Sequence, residues 1–187
     1  MPGAGTVDIR GAEWISGHLS VIDGVDPTWR IYVAALTDTP GVVAANNFLS
    51  VFNPVGSGMH MVGLGAIVGG YSTAAASAPH SMLAQRTTAA SGGTLATAAN
   101  VARYDATVAN PVSQVRTANP TVTLTQSPLF GWSPPVSTGT GSIGIAAPAT
   151  SGPAFICHPG EGLVWYTTAG DVNQIWNIQF TWAEYPI

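Results

Sequence analysis

From Trp176 to Trp182 apolar and polar residues alternate without a break. Trp176, Ile178, Phe180 and Trp182 share one side, and Asn177, Gln179 and Thr181 share the other. Successive side chains of a β-strand point to opposite faces, so the run predicts a strand with one buried and one wet face. Ahead of it, residues 163–168 form a second apolar, β-branched run, introduced by the turn sequence Pro159-Gly160-Glu161-Gly162. The same texture recurs upstream. Residues 29–36 are mostly apolar and stop at Asp38-Thr39-Pro40-Gly41, and residues 48–52 lead through Asn53-Pro54-Val55-Gly56-Ser57-Gly58 into the run 59–68. Asn-Pro opens a turn and glycine adopts positive φ at little cost, so runs 48–52 and 59–68 predict a hairpin with a longish loop. Shorter strands are expected at 81–89, 114–117 and 122–125.

No 3.6-residue stripe lasts for three helical turns, although the alanine-rich stretch leaves room for a short helix near residues 95–103. Residues 126–153 are rich in Pro, Gly, Ser and Thr and read as a long loop pinned by Phe130 and Trp132. Residues 1–28 are glycine-rich and irregular, with Trp14 as an apolar anchor, and read as an arm or loosely packed first layer before a domain at 29–187. Many short strands between Gly/Pro turns predict an all-β fold, a jelly-roll type β-sandwich with a partly extended N-terminal arm.

Composition narrows the function classes. A chain of 187 residues hides roughly 70% of its unfolded surface on folding, enough for a core without metal or disulfide support. Asp, Glu, Lys and Arg make up only 7% of residues, against about 25% in ordinary soluble proteins. Lysine is absent, and the basic residues are Arg10, Arg30, Arg86, Arg103 and Arg116. Two explanations stand side by side: coding bias against lysine, or a surface covered in an assembly and in little need of charge. A net charge of −4 with scattered arginines offers no patch for phosphates, so nucleic acid is not an expected partner. Cys157 is the single cysteine, which excludes an internal disulfide. The N-terminus shows no basic region followed by an apolar stretch, and the most apolar run, 59–71, is interrupted by glycines. It falls short of the ~20 residues that cross a bilayer. A soluble protein made in the cytoplasm, without a membrane partner, is the expectation.

The candidate chemistry is sparse. His18, His60, His80 and His158 are far apart in sequence, and no carboxylate lies close to His60. No metal site is expected, and His60 and His158 read as loop or strand-edge residues. Cys157 and His158 are adjacent, so on a strand their side chains point apart, and a buried small cysteine is expected rather than a thiolate nucleophile. Asp23 and Asp26 flank a turn but lack the further oxygen ligands of a calcium loop. Ser57 between glycines does not match a nucleophile elbow. Glu161 is expected to bond backbone amides or an arginine. Trp165, Trp176 and Trp182 read as core. Trp132 is the tryptophan expected to be exposed, as an anchor into a partner subunit or, alternatively, a platform for a sugar. No catalytic residue and no cofactor are assigned.

One series of turns carries a resemblance. Residues 52–58 (FNPVGSG), 86–94 (RTTAASGGT) and 159–163 (PGEGL), followed by a closing Trp182-Ala183-Glu184, occur in that order. The series resembles jelly-roll virion proteins of tailed bacteriophages, among them capsid decoration and cement proteins, over about residues 50–187. The resemblance implies a structural virion component on the capsid exterior that clamps major capsid protein subunits, often as a homodimer or homotrimer. It implies no enzyme. Asn53, Pro54, Gly56, Gly58, Pro159, Gly160, Glu161 and Gly162 would be structural turn residues, and Trp14, Phe130 and Trp132 the contact elements. A receptor- or glycan-binding module of a tail or fibre is the alternative, and a cupin-like metalloenzyme a second.

Overall fold

The computed structural model describes residues 30–42, 44–74, 80–97, 100–132 and 155–187. Among these residues the chain forms eleven strands and no α-helix. One sheet contains β1 (Arg30–Pro40), β3 (Met59–Ser72), β6 (Val101–Arg103), β9 (Phe155–Cys157) and β11 (Gln174–Pro186), in the order β6-β1-β11-β3-β9. The other contains β2 (Asn46–Asn53), β4 (Met82–Ser91), β5 (Thr94–Leu95), β7 (Gln114–Thr117), β8 (Thr121–Trp132) and β10 (Glu161–Thr167), in the order β5-β7-β2-β10-β4-β8. All pairings are antiparallel. The two sheets pack as a sandwich. The chain changes sheet at every step from β1 to β4 and again from β8 to β11, with β5, β6 and β7 as an excursion that widens both sheets on the same side.

The alternation in β11 sets the core. Trp176, Phe180 and Trp182 are fully buried and Ile178 nearly so, while Asn177, Gln179 and Thr181 on the opposite face stay partly solvated. From the second sheet Trp165 meets Phe180 with ring centroids 4.7 Å apart, and Phe180 stacks on Trp182 at 5.7 Å. Phe48 and Tyr32 complete the aromatic layer against Trp176 and Trp182. Each such ring removes roughly 150–250 Å² from water, or about 4–6 kcal/mol of transfer free energy. Aromatic burial therefore outweighs any single polar contact in the molecule. Gly63 is the point of closest approach: a Cβ there would lie 2.0 Å from the Phe155 ring, so only glycine lets β9 dock against β3.

Four expectations change. The turn at residues 53–58 is not a hairpin loop, because β2 and β3 belong to different sheets and the turn carries the chain across the sandwich. Residues 126–132 are strand rather than loop. β8 is the outermost strand of its sheet, where Pro128 faces no missing ladder partner, and the positive φ of Gln126 (64°) accompanies a shifted register. The stretch expected to allow a short helix holds strands β5 and β6 instead, each satisfied by a neighbouring strand. Trp132 is half-buried rather than exposed: it ends β8 opposite Met82 and meets Trp176 edge-to-face at 5.8 Å. Phe130 is likewise half-buried and packed on the core. The arm expected over 1–28, with Trp14, and the rest of the long loop lie outside the described residues.

Candidate functional site

The two turns singled out by composition meet at one end of the sandwich. Asn53 Nδ2 donates to the Met59 carbonyl at 2.8 Å and to the Cys157 carbonyl at 3.2 Å, so one buried amide ties the start of β3 to the end of β9. The Gly160 N–H donates to the Asn53 carbonyl at 2.8 Å, joining the turns directly. Gly56, Gly58 and Gly160 sit at φ of 76°, 68° and 89°, the left-handed region that favours glycine. Pro54 accepts from the Ser57 N–H through its carbonyl, closing the first turn. Gly162 faces a different demand, since a Cβ there would lie 2.5 Å from the Val51 carbonyl oxygen.

Glu161 locks the second turn. Its Oε2 accepts from the His158 N–H at 2.9 Å and lies 3.6 Å from Arg86 Nη1. Arg86 in turn donates to the Ile156 carbonyl at 2.9 Å. Both partners expected for Glu161, a backbone amide and an arginine, are therefore present, and the pair fixes the chain on either side of Cys157.

On this frame three aromatic rings stand in a row across β9, β3 and β11. His60 is paired with Tyr185 in the strand register, and His158 continues the Met61–Cys157 pairing by one residue. The Nδ1 atoms of His60 and His158 are 3.1 Å apart, with the rings edge-to-face at 4.8 Å, and Tyr185 lies 5.1 Å from His60 on the other side. A hydrogen bond between two Nδ1 atoms requires one donor and one acceptor, so at least one ring is neutral. Burial, and then the His158 ring, hold His60 below the ordinary imidazole value.

Cys157 takes no part in this row. Its thiol is fully buried and pushed up to about 12 by burial, with Arg86 opposing and Glu161 adding to the shift. Its side chain enters the core while His158 stands in solvent, so the two form no nucleophile–base pair. The Ser57 hydroxyl is engaged with the backbone of Met59. Among the described residues no three His, Cys, Asp or Glu side chains converge. His80 stands apart from the row, and Trp14, His18, Asp23 and Asp26 lie outside the described residues.

Local reading of the sequence singled out both turns and missed the histidine pair. The two rings are 98 positions apart, and only the pairing of β3 with β9 joins them. Each does follow or precede a flagged turn, and that shared position is the one local signal available. A second missed group is Glu184, buried under the excursion, whose carboxylate accepts from the backbone N–H groups of Val112 at 2.9 Å and Ser113 at 2.8 Å. Comparison of the chain with protein-family models, with curated proteins and with solved structures returns no match.

Proposed function

We propose that this chain is a structural virion protein of jelly-roll type, a decoration or cement protein that binds the outside of a phage capsid. The observation that carries the reading is how the few charges are used. Arg86, Arg103 and Arg116 donate to the carbonyls of Ile156, Val108 and Gly92, and Asp105, Glu161, Asp171 and Glu184 accept from backbone N–H groups. Asp38 accepts from the Tyr71 hydroxyl. Eight of the nine charged side chains among the described residues thus hold the chain's own loops and neighbours, leaving a surface poor in independent charge. Such a surface suits burial against other subunits.

Strand order supports the fold named in this reading. Apart from the excursion strands the sheets run 1-11-3-9 and 2-10-4-8, the interleaved pattern of two Greek keys rolled together, which virion proteins, lectins and cupins share. The described inward positions of the central strands carry indoles, phenyl rings and aliphatic groups, which favours a packed scaffold over a cupin-like ligand cavity. The Trp132 ring is spent partly on Trp176, which favours a subunit contact over a sugar platform. Leu124 and Leu129 on the outermost strand β8 are 40% and 41% exposed and are the proposed contact positions, beside the half-buried Phe130 and Trp132. A standard interface of ~1,600 Å² suffices for specific attachment.

The test is co-sedimentation of the purified protein with phage shells stripped of their decoration layer. Saturable binding, weakened in Leu129→Glu, is the expected result. A protein that stays in the supernatant at every concentration would remove the cement reading.

A further inference from the structure

We propose that His60 and His158 form a binding site for a divalent transition-metal ion, ligated by their two Nδ1 atoms at the rim of the sandwich. The nitrogens already lie 3.1 Å apart. Two imidazole nitrogens on one zinc ion, each at about 2.0–2.1 Å and at the tetrahedral angle, are about 3.3 Å apart. The observed separation is thus within a few tenths of an ångström of what two ligands of one ion require, and the ion enters once the rings turn both Nδ1 lone pairs toward it and the shared proton leaves. Imidazole is a borderline-soft donor that suits zinc, copper and nickel rather than magnesium or calcium.

The frame behind the pair is built for position. His60 is held on β3 between the His158 and Tyr185 rings. The His158 backbone is fixed by Glu161 Oε2, itself anchored by Arg86, and the strand end beneath it by Asn53. His158 is exposed, so the ion is reached directly from solvent. Cys157 faces the core and supplies no third ligand. No third His, Cys, Asp or Glu among the described residues joins the pair, so the described residues supply two ligands. The inference is independent of the virion reading, since it rests on two side chains and their supports alone.

The experiment uses the full chain after dialysis against a chelator, titrated separately with Zn2+ and Cu2+ by calorimetry. One ion per chain is expected, with Cu2+ bound more tightly than Zn2+. His60→Ala and His158→Ala should each weaken binding by more than the roughly hundredfold that loss of a supporting partner can cost, while His80→Ala leaves it unchanged. Thermal melting of the variants establishes that they are folded. On the unaltered protein, substoichiometric Cu2+ should broaden the ring proton resonances of His60 and His158 and spare those of His80. No binding by the unaltered protein, affinity retained in the His60→Ala/His158→Ala double variant, or broadening centred on another residue would each overturn the proposal.

Discussion

At the scale of single residues, the polar groups that matter most are those that satisfy backbone far away in sequence. Glu184 is 1% exposed, and its partners Val112 and Ser113 lie 72 and 71 positions upstream. Its Oε1 also accepts from Trp182 Nε1 at 3.3 Å. Removing the carboxylate leaves two or three N–H donors without a partner, each worth about 1–3 kcal/mol. Glu184→Ala should therefore lower stability by roughly 2–5 kcal/mol, read as a fall in the urea midpoint, and Glu184→Gln by less because one acceptor oxygen remains. An unchanged midpoint in Glu184→Ala would mean the loop at 110–113 is held by something else. Local sequence marked Glu184 only as part of a closing motif. Its role depends on a loop brought beneath it by the excursion through β5–β7, which no local pattern announces.

Elements show where pattern reading succeeds and where it stops. Period-two alternation located β11 and its buried face because each residue's orientation on a strand follows from its neighbours alone. Apolar and β-branched runs bounded by turn residues located most of β1, β2, β3, β4, β7 and β10. It mistook the end of β8 for loop, because Pro128 and the surrounding small residues argue against a strand unless that strand lies at a sheet edge. It also took the link between β2 and β3 for a hairpin, since a turn that crosses between sheets uses the same Asn, Pro and Gly chemistry as one within a sheet. β9 was missed altogether: three residues are too few for a periodicity. Its docking rests on the Phe155 ring packing against Gly63. Gly63→Ala should push that ring away at a cost of about 1–3 kcal/mol, and amide hydrogen exchange should accelerate selectively in β9. Uniform exchange across both sheets would argue against this local role.

For the molecule as a whole, burial couples the fold to alkaline pH. Desolvation, and then Glu184, raise Tyr32 from 10.0 to about 12, and burial raises Cys157 from 9.0 to about 12. In both cases the folded state holds its proton more tightly than the unfolded chain. The stabilisation is complete below the unfolded values and is lost as pH climbs through them toward about 12, so stability should fall with pH across that window. Tyr32→Phe forfeits the 2.8 Å bond to the Ala109 carbonyl and starts about 1 kcal/mol lower. Its urea midpoint should nevertheless decline less steeply above pH 10.0, the ordinary tyrosine value. A parallel decline would show that Tyr32 does not contribute to the alkaline loss.

The amino-acid sequence by itself determined the strand character of this chain, the buried stripe of β11, the turn residues and the shortage of charge. These are local or additive properties, set by which residue follows which. Tertiary structure alone decided which strands share a sheet, how the two turns interlock through Asn53 and Gly160, and that His60 meets His158. Those features depend on closing long loops, from 98 positions between the two histidines to about 150 between the paired strands β1 and β11, and the free energy that closes them comes from the shared aromatic core rather than from the groups brought together.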